Sequence, residues 1–200
     1  MSVSNKGNAA SEALWKIIRI VTTAPMLAII AVCLLWGCRR EVYSGTAQFI
    51  ATLFLLGIIP LLAYPLQRFF PRFRDEGRKG QRILAMIFAV GGYVICCGMY
   101  LVTGASSCLW MLCLIYLLSG LVILLFNKVF HLKLSGHACG VTGPVVGLYY
   151  AGLNWIIPAG LGMLVLVGIA SLKTKRHTLP QLIGGSLVPI CTYFVARIGL

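Results

Sequence analysis

Hydrophobic residues in this chain come in long runs separated by short polar stretches, not in the alternation of strands or the one-sided stripe of soluble helices. Apolar segments of roughly 16 to 24 residues lie at 14–37, 46–66, 83–104, 108–126, 138–153, 155–172 and 181–199, against the ~20 residues a helix needs to cross a hydrocarbon core. Backbone in lipid must satisfy its own hydrogen bonds, so such runs fold as helices. The pattern predicts an all-α, multi-pass membrane bundle of about seven spanning helices, or six. The fifth and sixth runs are short and broken by Gly140, Gly143, Pro144, Gly147, Pro158, Gly160 and Gly162, with only the turn around Asn154 between them. Small residues allow close helix contact, so a tight helical pair is expected there. Two polar connectors stand out, 67–82 and 127–137, and neither an internal repeat nor a low-complexity linker divides the chain. A single integral membrane domain over residues 1–200 follows. The segment Ser2 to Glu12 is polar and the first run is long enough to span, so that run reads as a retained helix, not a cleaved signal.

Composition narrows the function. The chain is 60% hydrophobic and 10% charged, with mean hydropathy +0.94, which excludes an ordinary water-soluble domain. Its net charge of +13 comes from 17 basic residues against Glu12, Glu41, Asp75 and Glu76. The basic residues cap apolar runs, so they suit orientation, anionic headgroups or a phosphorylated substrate, and no nucleic-acid partner is expected. The eight cysteines (Cys33, Cys38, Cys96, Cys97, Cys108, Cys113, Cys139, Cys191) lie mostly inside apolar runs without CxxC spacing, and read as small buried hydrophobes. Trp15, Trp36, Trp110 and Trp155 fall near run ends, as in an interfacial belt.

Seven spans put the N-terminus and the connectors 67–82, 127–137 and 173–180 on one side with 14 basic residues, and leave Arg39, Arg40 and Arg197 on the other. The positive-inside rule makes the first side cytoplasmic. Five of the 14 (Lys128, Lys133, Lys173, Lys175, Arg176) stand where they could hold phosphate, and without them the ratio is still nine to three.

The chemistry-bearing residues are Ser135-Gly136-His137, entering the fifth run, and Arg176-His177-Thr178, just before the seventh. Ionisable groups at membrane helices are rare unless they act. Both motifs fall on the same side and can share a pocket. Two histidines among cations suit phosphoryl transfer: one imidazole attacks phosphorus, the other protonates the leaving oxygen, and Lys128, Lys133, Lys173 and Arg176 neutralise phosphate charge. Ser135 and Gly136 at a helix start add backbone N–H donors and the positive end of the helix dipole. No carboxylate cluster that could hold Mg²⁺ or Zn²⁺ is present in the sequence, so neither metal nor other cofactor is expected. His131 reads as structural, and Asn127 as a cap or headgroup contact.

These motifs resemble the type 2 phosphatidic acid phosphatase superfamily, whose signature is K-x6-R-P, then P-S-G-H, then S-R-x5-H-x3-D, the last two separated by two spans as here. The resemblance covers roughly residues 108–190. Leu134 stands in place of the proline, Lys128 is the nearest counterpart of the first lysine, Ser171 occupies the arginine position and Gln181 replaces the aspartate. Divergent bacterial membrane members with a lysine just before S-x-H and a late R-H-T-x-x-Q stretch look similar. The resemblance implies a bacterial inner-membrane enzyme acting on a lipid or isoprenoid phosphate or diphosphate, with accessory helices in 1–107 and the core in the last four helices, 108–200. It implies His177 as the nucleophile that becomes phosphohistidine, His137 as proton donor and Gln181 as the residue that orients His177. An amide accepts a hydrogen bond from imidazole but lends no charge to imidazolium; Asp75 or Glu76 could supply that charge from the 67–82 connector, and Arg78 or Arg82 the missing phosphate ligand. A weakly active phospholipid-binding scaffold and a small transporter with a midplane polar residue such as Ser119 or Thr142 are the alternative readings.

Overall fold

The computed structural model describes Trp15, Ile18 and residues 21–200. The beginning of the first apolar run, with Lys6, Lys16 and Arg19 of the basic count, lies outside the described residues. From Ala24 onward, eight helices follow one another among the described residues: α1 (Ala24–Cys38), α2 (Thr46–Phe69), the short α3 (Pro71–Asp75), α4 (Gly77–Thr103), α5 (Ser107–Lys128), α6 (Gly136–Tyr150), α7 (Ile156–Lys173) and α8 (Leu179–Gly199). No strand occurs among the described residues. Helices α2, α4, α5, α7 and α8 are long and apolar enough to cross a membrane, so the protein is an all-α, polytopic helical bundle.

The predicted runs are helical apart from their ends, except the first, which is interrupted at Thr22 and Thr23, where an extended backbone precedes α1. Helix α2 runs through Pro60 and Pro65 to Phe69, three residues past the predicted end. A wider π turn at Phe54–Ile58 directly precedes Pro60 and gives room for its ring against the preceding turn. Helix α4 starts at Gly77, before its apolar run, because Arg78, Lys79, Gln81 and Arg82 are good helix formers and extend it as a polar turn.

Helix α6 has 15 residues, about 22 Å at 1.5 Å per residue, short of the ~30 Å hydrocarbon core. It can be short because it is the central helix, packed against α1, α5, α7 and α8. Ala138, Gly140, Gly143, Pro144 and Gly147 are all buried in those contacts. At Gly140 a Cβ would come within 2.7 Å of the Ala24 Cβ on α1, so the missing side chain is what lets the two helices approach. The predicted tight pairing of the fifth and sixth runs is present as α6 against α7, and α6 also makes its largest contact with α8.

The largest core cluster joins α1, α2, α4, α5 and α6 around Leu35, Leu56, Tyr100 and Leu112. Within it the Tyr43 hydroxyl donates to the Val32 carbonyl (3.1 Å) and Thr52 and Tyr100 share a hydrogen bond of 2.7 Å, while the Tyr116 hydroxyl is buried without a hydrogen-bond partner. The end of the bundle opposite the motifs is stapled by Gln48 Nε2 donating to the Gly104 carbonyl (2.8 Å), by Arg39 on Glu41 (2.6 Å) and by Trp36 stacked on Phe49. Its own backbone N–H, ahead of the Arg39 guanidinium, holds the Glu41 carboxyl below the usual carboxylate range. Cys96, Cys113 and Cys139 are buried apolar packing residues.

Candidate functional site

Ser135 caps α6. Its backbone is extended, its Oγ accepts from the Ala138 N–H (3.3 Å), and it is wholly buried. Gly136 then opens the helix with vacant space where a side chain would stand, so the first-turn N–H groups can be approached closely. The loop leading in is fixed from α5: Asn127 Oδ1 accepts from the Leu134 N–H at 2.8 Å. The second motif is tied to the first through the backbone, the Ser135 N–H donating to the Gln181 carbonyl at 3.0 Å. Gly185, one turn further along α8, permits this, since any Cβ there would collide with the Ser135 carbonyl oxygen.

His177 sits just before α8. Its Nδ1 lies 3.2 Å from Gln181 Oε1, and the same oxygen accepts from the Thr178 N–H, also at 3.2 Å. The Thr178 contact identifies the atom as the amide oxygen, an acceptor only, so Nδ1 donates its proton to it. The chain reaches this position through a tight stop at the end of α7. Lys175 is left-handed (φ 50), its N–H donates to the Leu172 carbonyl (3.0 Å), and the Arg176 N–H donates to the Ser171 carbonyl (2.9 Å), a Schellman ending built on lysine where glycine is usual.

Helices α7 and α8 both pack on α6 and barely on each other. The 174–178 linker between them therefore crosses the amino end of α6, whose first turn holds His137. Helical register shows what surrounds His137. Leu27 of α1, Val141 of α6 and Val167 of α7 pack as one cluster, and one turn toward this end of the bundle they are succeeded by Thr23, His137 and Ser171. The Thr23 and Ser171 hydroxyls are both buried without a hydrogen-bond partner. Each unsatisfied hydroxyl costs about 1–3 kcal/mol.

The remaining predicted residues divide. Lys133 is exposed beside Leu134, and Arg176 is exposed in the linker. Lys173 holds its ammonium 5.4 Å from the Trp15 ring centroid. Lys128 lines an apolar lateral groove with Leu121, Leu125 and Val129. Asn127, one turn after the buried Ile123, is the α5 residue that reaches the motif loop. Arg82 lies one turn before Met86, which packs with Leu134 and Cys139, and so shares the α4 face that meets the site. Arg78 lines a cleft between α2 and α4. Asp75 pairs with Arg74 (3.1 Å) and Glu76 with Lys79 (3.9 Å). His131 is left-handed (φ 53) and exposed in the loop before Ser135. Ser119 bonds Thr192 at 3.0 Å and Thr142 bonds the Ala138 carbonyl at 3.1 Å, so both midplane hydroxyls are engaged within the bundle. Among the described residues no three His, Cys, Asp or Glu side chains come together as a metal site. Compared with known proteins, the chain matches no family model, no curated protein and no solved structure.

Proposed function

We propose that the protein is a membrane phosphatase that hydrolyses a lipid or isoprenoid phosphate, or diphosphate, through a phosphohistidine on His177. The observation that carries this reading is the Ser135–Gln181 backbone hydrogen bond, which joins the two histidine motifs at one end of the bundle. With Nδ1 protonated toward Gln181, His177 Nε2 attacks phosphorus and the bond to the leaving oxygen breaks. His137 gives its proton to that oxygen. Water then attacks the phosphohistidine, His137 takes the water's proton, and phosphate leaves as the N–P bond breaks. Lys133, Arg176, Arg82 and the amino end of α6 offset the charge on the phosphoryl oxygens, while the buried hydroxyls of Thr23 and Ser171 offer further donors. The basic asymmetry supports a site on the cytoplasmic side of a bacterial inner membrane.

Release of inorganic phosphate by the purified protein from a panel of lipid phosphates tests the reading. His177→Ala is expected to lower turnover by at least ~10²–10⁴-fold, with an acid-labile phosphoprotein trapped in the wild type only. Near-normal hydrolysis by a folded His177→Ala protein would refute it.

A further inference from the structure

Away from the histidines, the end of α2 and the start of α4 enclose an open cleft of about 490 Å³. Tyr64 and Pro65 form its membrane-side wall, and Arg68, Arg74 and Arg78 line its polar side. Three arginines therefore line one small space, the Arg68 guanidinium 4.7 Å from the Phe69 ring centroid, and no residue lining it bears a carboxylate. Gln67 builds the frame: its Nε2 donates to the Phe73 carbonyl (2.8 Å) and to the Gly77 carbonyl (2.7 Å), bending the chain from α2 through α3 into α4. Gly77 takes a left-handed backbone (φ 55) at the last bend. The connector's carboxylates are turned to Arg74 and Lys79, and among the described residues no carboxylate pairs with Arg68 or Arg78. The cleft is thus preformed and cationic, with Arg74 paired to Asp75 and two arginines, Arg68 and Arg78, left without a carboxylate.

We propose that this cleft binds the phosphate of an anionic phospholipid headgroup. Planar guanidinium groups match phosphate oxygens, which favours a phosphate-bearing anion over a carboxylate-poor polar lipid such as a sugar lipid. The choice of lipid over free phosphate rests on the surroundings. Tyr64 and Pro65 belong to a membrane-spanning helix, and Phe69 (63% exposed) and Phe70 (41% exposed) stand bare beside Arg68, the pairing of aromatic and cationic side chains that suits the interface between headgroups and hydrocarbon. The ligand's tails would stay in the bilayer while its phosphate enters the cleft. The residues that line this cleft, between Tyr64 and Gln81, include none of the histidine motifs.

Matched charge removals test it. The full-length protein in phosphatidylcholine nanodiscs is titrated with short-chain phosphatidylglycerol, and binding is read by native mass spectrometry, with circular dichroism confirming the helical fold. Arg68→Ala/Arg78→Ala is expected to weaken phosphatidylglycerol binding by at least about tenfold, whereas Arg72→Ala/Lys79→Ala, which removes two charges from the same connector outside the cleft, changes it by less than about threefold. Equal losses in the two double variants overturn the proposal, because charge alone and not the cleft then governs binding. Displacement of the lipid by millimolar inorganic phosphate overturns it in favour of free phosphate as the ligand. If Arg68→Ala/Arg78→Ala does not fold, the single variant Arg78→Gln carries the same test, and unchanged lipid affinity in it counts against the cleft.

Discussion

Gln181 decides the protonation state of His177. Because its amide oxygen is held by the Thr178 N–H as well as facing Nδ1, the imidazole cannot flip its proton to Nε2 without losing an acceptor. Gln181→Asp brings a negative charge to the start of α8, on a side chain one methylene shorter, and this charge stabilises imidazolium and is favoured in the first turn of a helix. Turnover by Gln181→Asp is expected to equal or exceed that of the wild type, by up to ~10²-fold; a clear loss in steady-state phosphate release would show that a second carboxylate already serves the site. The His177–Gln181 spacing of four residues across a helix start was legible in the sequence, since it follows from helix geometry. The Asn127 contact was not. Helix α5 is apolar almost all round, so no periodicity marks its inward face, and the Asn127–Leu134 hydrogen bond exists only once the loop is folded. The buried hydroxyls of Thr23 and Ser171 were equally hidden, being small residues whose significance depends on two other helices.

At the scale of elements, the apolar runs from 46 onward became helices because length and hydropathy are properties of one segment, whereas the break of the first run at Thr22–Thr23 and the central position of α6 are set by their neighbours. The glycines within α6 and α8 hinted at close approach without saying to what. Gly185 and Gly184 separate the two kinds of contact. A Cβ at 185 meets the rigid Ser135 carbonyl, while one at 184 meets the movable Leu134 Cδ2 at 2.7 Å. Gly185→Ala is expected to cost about 1–3 kcal/mol and to lower the detergent-solubilised Tm more than Gly184→Ala does. It should also depress phosphatase turnover while leaving His177 in place, since the joint between α6 and α8 is what aligns the motifs. Equal Tm shifts for the two variants would remove Gly185 from that role.

For the whole molecule, the 14-to-3 distribution of basic residues predicts the site on the cytoplasmic face. Alkaline phosphatase fused after residue 42 is expected to be active, and fused after residues 78 or 132 to be silent; the reverse pattern places the histidines outside. The loose seam between α7 and α8 has a kinetic consequence. A substrate that slides along it to the linker at His177 never leaves the bilayer, so the concentration the protein experiences is two-dimensional. Turnover should then obey surface dilution: adding phosphatidylcholine at a fixed bulk amount of substrate slows the reaction in proportion to the fall in substrate mole fraction, whereas adding buffer at constant mole fraction leaves the rate per protein unchanged. A rate that instead followed bulk molarity in mixed micelles would mean that the substrate arrives from water and that the seam has no part in its delivery.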